Sequence, residues 1–286
     1  MSAEKSTSHS FILTLSCPDR PGIVAAISQI MAQQDLNIVE SQQYGDAESG
    51  QFFMRIGFEG DVAPDDCAAL FEAPARDFAM QWHLTNAHHR PKALILLSKF
   101  DHCLVDLIYR QQVGSLNMEI AAIASNHEVG RRRAENAGLP YHLLGGKKDK
   151  AENEARLDAL IEAESIELIV LARYMQILTP AFTARHAGRI INIHHSFLPS
   201  FKGAEPYSQA HRRGVKIIGA TAHFVTQDLD EGPIIAQGVE AVRHDMDVSA
   251  LVDVGRDTER RTLARAVKLY TERRVFLNGD KTVVFD

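Results

Sequence analysis

The sequence predicts an α/β protein of two domains, a small one of element order βαββαβ and a larger one built on a mostly parallel sheet. Three observations carry this. The chain has 286 residues, too many for one small core and suited to two domains of ordinary size. Its first part sets strand-like and helix-like patterns in the split order, with two strands meeting at a turn over 45–50. After a polar stretch at 86–92 the pattern changes to repeating strand and helix, opened by the apolar run ALILL at 93–97.

Residues 11–16 are a β-rich run that CPDRPG at 17–22 breaks, with Pro21 suited to the first position of a helix. Ile23, Ile27, Ile30 and Met31 recur at helical spacing, so one helix face is buried as far as 34–35. Strands follow over 36–44 and 51–58, then a helix over 64–80 and a strand over 81–85. NAHHRPK at 86–92 reads as a linker, which gives domains 1–87 and 93–286 joined at 88–92. Beyond it come strands at 93–97, 119–124, 167–171 and 189–194, and helices at 103–109, 130–137 and 155–163. That alternation predicts a Rossmann-like parallel sheet covered on both faces. Strands near 215–225 and 234–242 add antiparallel edges, before a long helix over 249–272 and a hairpin turning at 278–279.

Composition narrows the function. With 45% hydrophobic and 24% charged residues the chain can bury a core, which excludes wholesale disorder. A net charge of −6 repels phosphate backbones, so nucleic acid is not expected as a partner. No stretch reaches the roughly 20 apolar residues of a membrane span, and MSAEKSTSHS lacks the apolar centre of a signal peptide. A cytoplasmic protein without membrane contact is expected. Cys17, Cys67 and Cys103 are widely spaced and form no CxxC pair, so they read as reduced thiols.

In open α/β sheets ligands collect at the carboxyl ends of the strands, and INIHHSFLPSFKGAEPYSQA at 191–210 lies where a strand runs into a loop and a helix. Asn192 and His194 stand on one face of that strand. GATAHFVTQDLDEGPIIAQ at 219–237 brings His223, Asp228 and Asp230 to a turn, and the two segments can converge. His195 falls on the opposite strand face and reads as packing. His223 is read as support for Asp230 or as a strand histidine with satisfied hydrogen bonds. A metal held by His194, His223 and Asp230 is chemically possible, but the spacing fits no metal motif, so none is expected.

The first segment, CPDRPGIVAAIS within the βαββαβ order, resembles the ACT domain over about residues 8–86. The resemblance implies an amino-acid effector at Asp19, Arg20, Pro21 and Gly22, where a helix start favours a carboxylate, and pairing into homo-oligomers. NIHHSFLPSFKG followed by GATAHFVTQDLDEGPII resembles the folate-dependent formyltransferase fold over about residues 92–286. Carried over residue by residue, it implies that Asn192, His194 and Asp230 are catalytic. LARYMQIL at 171–178 matches the family's pterin-pocket segment, which makes Arg173, Met175, Gln176, Ile177 and Leu178, with Asp228, the folate-binding candidates. Cleaving a formamide-like C–N bond needs an activated nucleophile, an oxyanion donor and a proton for the leaving nitrogen, and these residue types supply all three without a metal.

Transferases of this fold that act on glycinamide ribonucleotide cradle its phosphate in a glycine-rich loop after the first strand. Here that loop reads LLSKFDHCL at 96–104, without glycine, and Lys99, Asp101, His102 and Gly203 are expected to wall the vacated channel. The expected reaction is therefore hydrolysis of 10-formyltetrahydrofolate by water to formate and tetrahydrofolate, with the formate feeding purine synthesis and with no cofactor. Formyl transfer to an amine, and an inactive sensor of folate and amino acid, are the alternatives. No GxGxxG follows the first strand of the larger sheet, so a nicotinamide cofactor is not implied.

Overall fold

Alternate burial starts the first unit: β1 (His9–Pro18) turns Phe11, Leu13, Leu15 and Cys17 inward. The computed structural model describes residues 9–198 and 206–286. The strand is followed by α1 (Ile23–Gln33), β2 (Asn37–Asp46), β3 (Gln51–Gly60), α2 (Pro64–Ala69), α3 (Glu72–Asp77) and β4 (Gln81–Asn86). The strands form an antiparallel sheet in the order β2-β3-β1-β4, the expected split arrangement. Phe11 stacks on Phe58 with ring centroids 5.3 Å apart, and Ile23, Ile27 and Met31 of α1 join that core.

Two local expectations change. The helix expected over 64–80 is two short helices, because a continuous one would drive the Pro74 ring against the carbonyl four residues back. Placing Pro74 in the first turn of α3 costs no hydrogen bond. Pro21 does not open α1; Gly22 caps it with φ 100°, a left-handed backbone that glycine adopts without strain.

The second unit contains β5 (Lys92–Leu97), α4 (His102–Gln112), β6 (Glu119–Ser125), α5 (Arg131–Asn136), β7 (Tyr141–Leu143) and α6 (Lys150–Ala163). It continues through β8 (Leu168–Leu171), α7 (Pro180–Arg185), β9 (Ile190–His194), α8 (Pro206–Arg213), β10 (Ile217–Phe224), β11 (Ile234–Ala241) and α9 (Val248–Thr271). The sheet order is β11-β10-β9-β8-β5-β6-β7, parallel from β9 through β7, with β10 and β11 antiparallel at one edge. Residues 93–97 are fully buried, as a central parallel strand requires. From β5 the chain proceeds first to β6 and β7 and then returns to β8 on the other side, so the carboxyl ends of β5 and β8 flank the point where strand order reverses.

The chain ends in a hairpin of β12 (Val275–Asn278) and β13 (Lys281–Val284). The sequence reading gave all of 93–286 to the second domain, whereas the contacts group 272–278 and 283–286 with the first unit. The cause is specific side-chain pairing. Arg274 binds Glu40 at 3.0 Å and Gln42 at 3.0 Å, and Asn278 Nδ2 donates to Asp46 Oδ2 at 2.7 Å. All three cysteines are free and buried, and among the described residues no helix is long and apolar enough to cross a membrane.

Candidate active site

The register of β9 against β10 builds the centre of the site. Asn192 lies opposite His223, and Thr221 opposite His194, so Asn192, His194 and His223 project from one sheet face. His223 is 2% exposed, and its Nδ1–H donates to the Phe224 carbonyl at 2.9 Å. That bond leaves Nε2 as an acceptor, and Asn192 Nδ2 donates to it at 3.1 Å. The Asn192 amide is thereby fixed in orientation, with one N–H bound to His223 and the second without a partner among the described residues. Burial holds the His223 pKa below its ordinary value, which keeps the ring neutral for this role.

Asp230 returns to the same face on the connection between β10 and β11. Its Oδ2 lies 3.3 Å from His194 Nδ1 and its Oδ1 lies 3.7 Å from His223 Nε2. The hydrogen bond from His194 holds its carboxyl below the usual carboxylate range, although partial burial opposes this. Two backbone features allow the approach. Asp230 has φ 58°, a left-handed conformation that Asp tolerates better than most residues. A Cβ at Gly232 would lie 1.8 Å from the Phe224 carbonyl oxygen, so only glycine lets the connection close there. His194 Nε2 is buried and has no hydrogen-bond partner among the described residues; it is the ring atom left for a substrate. Thr221 fixes the chain beyond His194 by donating to the Ser196 carbonyl at 2.9 Å and accepting from Leu198 N–H at 3.3 Å.

The structure thus brings together the side chains of Asn192, His194, His223 and Asp230. His195 does not follow strand alternation, because β9 ends at His194. Its ring stacks on that of His194 at 4.9 Å, and burial lowers its pKa to about 4.

The crevice between β5 and β8 carries the residues expected to hold folate. Ser98 N–H donates to the Arg173 carbonyl at 3.1 Å, Met175 N–H donates to Ser98 Oγ at 3.0 Å, and that hydroxyl donates to Asn126 Oδ1 at 2.7 Å. Met175 and Ile177 are exposed, Gln176 is half-buried and Leu178 packs into the core. Met175 and Ile177 are thus two exposed apolar side chains side by side on this segment. Arg173 lies just before them. It has φ 68°, and its guanidinium turns to Glu259, 3.4 Å away, and to the ring of Phe100. Asp228 is exposed beside Asp230.

Of the expected wall residues, Lys99 is exposed and Asp101 pairs with Arg133 at 3.4 Å. His102 binds Glu259 at 2.8 Å, and Gly203 lies outside the described residues. His102, Cys103 and Glu259 bring ligating atoms within 4.8 Å of one another, a set that could hold a cation. Arg173 beside the same carboxylate already supplies positive charge. In the first unit, Asp19, Arg20, Pro21 and Gly22 are all exposed; Arg20 donates to the Asp77 carbonyl and lies 4.4 Å over Phe78.

Sequence reasoning missed Ser98, Asn126, Tyr207, Gly232 and Glu259. Only Glu259 left a periodic signal, since Leu251, Gly255, Thr258, Thr262 and Leu263 mark the buried stripe of α9 on which it falls.

Residues 91–267 match the family model for formyl transferase, and residues 11–65 match that for the ACT domain. A formyltetrahydrofolate deformylase of Bacillus subtilis is 49% identical over 96% of this chain and 93% of its own. The crystal structure of a formyltetrahydrofolate deformylase from Burkholderia mallei superimposes with a TM-score of 0.94 at 51% identity, covering 97% of this chain and all of that one. A glycinamide ribonucleotide transformylase from Symbiobacterium toebii matches more narrowly, with a TM-score of 0.66 and 29% identity over 70% of this chain and 96% of its own.

Proposed function

Because the chain belongs to the formyl transferase family and shares nearly its whole length with formyltetrahydrofolate deformylases, we propose that it hydrolyses 10-formyltetrahydrofolate to tetrahydrofolate and formate. The observation that carries the reading is the arrangement of His194 and Asp230. The carboxylate holds Nδ1 at 3.3 Å, and Nε2 is left without a partner among the described residues.

The formyl group lies against Asn192 and His194, with the pterin in the crevice lined by 175–178. Asp230 orients a water and polarises it toward the formyl carbon. As the water oxygen bonds to that carbon, the carbonyl oxygen becomes an oxyanion. It accepts from the second Asn192 N–H and from protonated His194 Nε2. His194 then passes its proton to N10 and the C–N10 bond breaks. The proton that the water gives to Asp230 leaves to solvent, and His194 Nε2 takes a proton back from solvent, which restores both groups for the next turnover. Neutral His223 keeps the Asn192 donor aimed and takes no proton itself. No metal enters this scheme, and the lone pair of His223 that a metal would use accepts the Asn192 amide instead.

Around this chemistry we place a cytoplasmic enzyme whose formate supplies purine synthesis, with an amino-acid effector at 19–22 and a homo-oligomeric assembly through its first unit. The effector reading is supported by α1, whose first N–H groups have no side-chain cap among the described residues. Asp230→Asn tests the chemical scheme: formate release is expected to fall at least about 100-fold with folate binding retained. Full turnover in that variant would remove Asp230 from the mechanism.

A further inference from the structure

The proposed hydrolysis does not use the side chains around Glu259. On α9, Glu259 is 1% exposed, and a carboxylate occupies such a position only when its charge is met. Its Oε1 accepts from the Tyr207 hydroxyl at 2.8 Å and its Oε2 from His102 Nε2 at 2.8 Å, with Arg173 Nε 3.4 Å away. Both oxygens are therefore engaged by the protein itself. Burial pushes this carboxyl up, but His102, Arg173 and Tyr207 together hold it below its ordinary value.

These partners come from separate segments: His102 follows β5, Arg173 follows β8, and Tyr207 lies on α8. Gly255, one turn before Glu259, makes the room, since a Cβ there would lie 2.1 Å from the Tyr207 hydroxyl. Phe100 lies over the cluster with the guanidinium groups of Arg173 and Arg256 each 5.6 Å from its ring centroid. His195 connects the cluster to the reacting groups, stacking on His194 at 4.9 Å and lying 6.5 Å from Tyr207.

We propose that this network closes the acceptor side of the site to anything larger than water, so that Tyr207, Glu259, His102 and Phe100 make the protein a hydrolase instead of a transferase. The inference rests on the hydrolytic reading above. In a transfer, an amine nitrogen would bond to the formyl carbon, the C–N10 bond would break, and N10 would take the proton that the amine loses. Asn192, His194 and Asp230 serve that reaction as well as hydrolysis, so discrimination lies in access. An amine approaching past His194 over the end of β5 meets the ring of Phe100 where a transferase has glycine, with Tyr207 held by the buried Glu259 carboxylate.

The test is a product partition. The purified full chain is given 10-formyltetrahydrofolate with glycinamide, and tetrahydrofolate, formate and N-formylglycinamide are measured. The wild type is expected to give formate alone, whereas Tyr207→Ala and Phe100→Ala raise the share of N-formylglycinamide at least about 10-fold. Phe100 is 40% exposed, so its removal spares the core, and a partition is read whatever the total rate. N-formylglycinamide from the wild type in amounts comparable with formate, or an unchanged share in both variants, would overturn the proposal. A wild type that releases no tetrahydrofolate would instead overturn the hydrolytic reading on which it rests.

Discussion

At the scale of single residues, the site works by limiting what each side chain can do. Asn192 has one N–H tied to His223, so its replacement by Ala removes an aimed oxyanion donor. We expect kcat to fall about 10²- to 10³-fold with the circular dichroism spectrum unchanged; a drop confined to KM would argue for a binding role. His195 makes a different prediction. Its pKa is lowered from 6.5 to about 4 by burial, so between these values the unfolded chain binds the proton and the folded chain does not. Stability is then complete above about 6.5 and falls as pH drops toward about 4, by an amount on the order of 3 kcal/mol. Asp230 and Glu259, both lowered, lose their contributions in the same direction but at still lower pH. Urea unfolding at pH 7.5 and pH 5 checks this, and His195→Phe should flatten the difference between them. Asn192, His194 and Asp230 were legible because they sit inside two separated motifs. Glu259 and Ser98 were not, because one is a lone acid within a helix and the other a lone serine after a strand, and only the tertiary structure supplies their partners.

At the scale of elements, the connection between β10 and β11 and the crevice between β5 and β8 hold the site. The connection closes on Gly232, and Gly232→Ala would push the chain away from the Phe224 carbonyl and carry Asp230 with it. Since a displacement of about 1 Å can cost 10²-fold, kcat/KM should fall at least about 100-fold; near-normal turnover would mean that the connection adapts. In the crevice, Ser98→Ala removes the acceptor for Met175 N–H, and KM for the folate is expected to rise several-fold, roughly 1 kcal/mol, with kcat kept. Strongly periodic elements such as α1, β5 and α9 were readable from the sequence. β7 was not, because three residues show no period. α7 was overlooked although its signal is local: Thr179 caps it, accepting from Phe182 N–H at 3.2 Å, and Pro180 occupies its first turn. The expected helix over 64–80 failed on Pro74, whose ring marks the start of a second helix.

At the scale of the whole molecule, the order of the two domains was plain from the change of pattern near residue 92, but the final segment was not. Arg274 and Asn278 join the first unit through Glu40, Gln42 and Asp46, and no hydrophobic period announces polar contacts across that length of chain. The first unit also exposes Ile38, Val39 and Tyr44 on β2, an edge strand of its sheet. Such an edge favours pairing between copies, and light scattering at micromolar concentration is expected to return an oligomer; a monomer would contradict the proposed assembly. In the proposed reaction water accepts the formyl group without a metal. This is tested most directly by incubating the chain with 10-formyltetrahydrofolate, a chelator and no acceptor, and measuring formate and tetrahydrofolate. Formate and tetrahydrofolate are expected in equal amounts; folate that binds and stays formylated would refute hydrolysis.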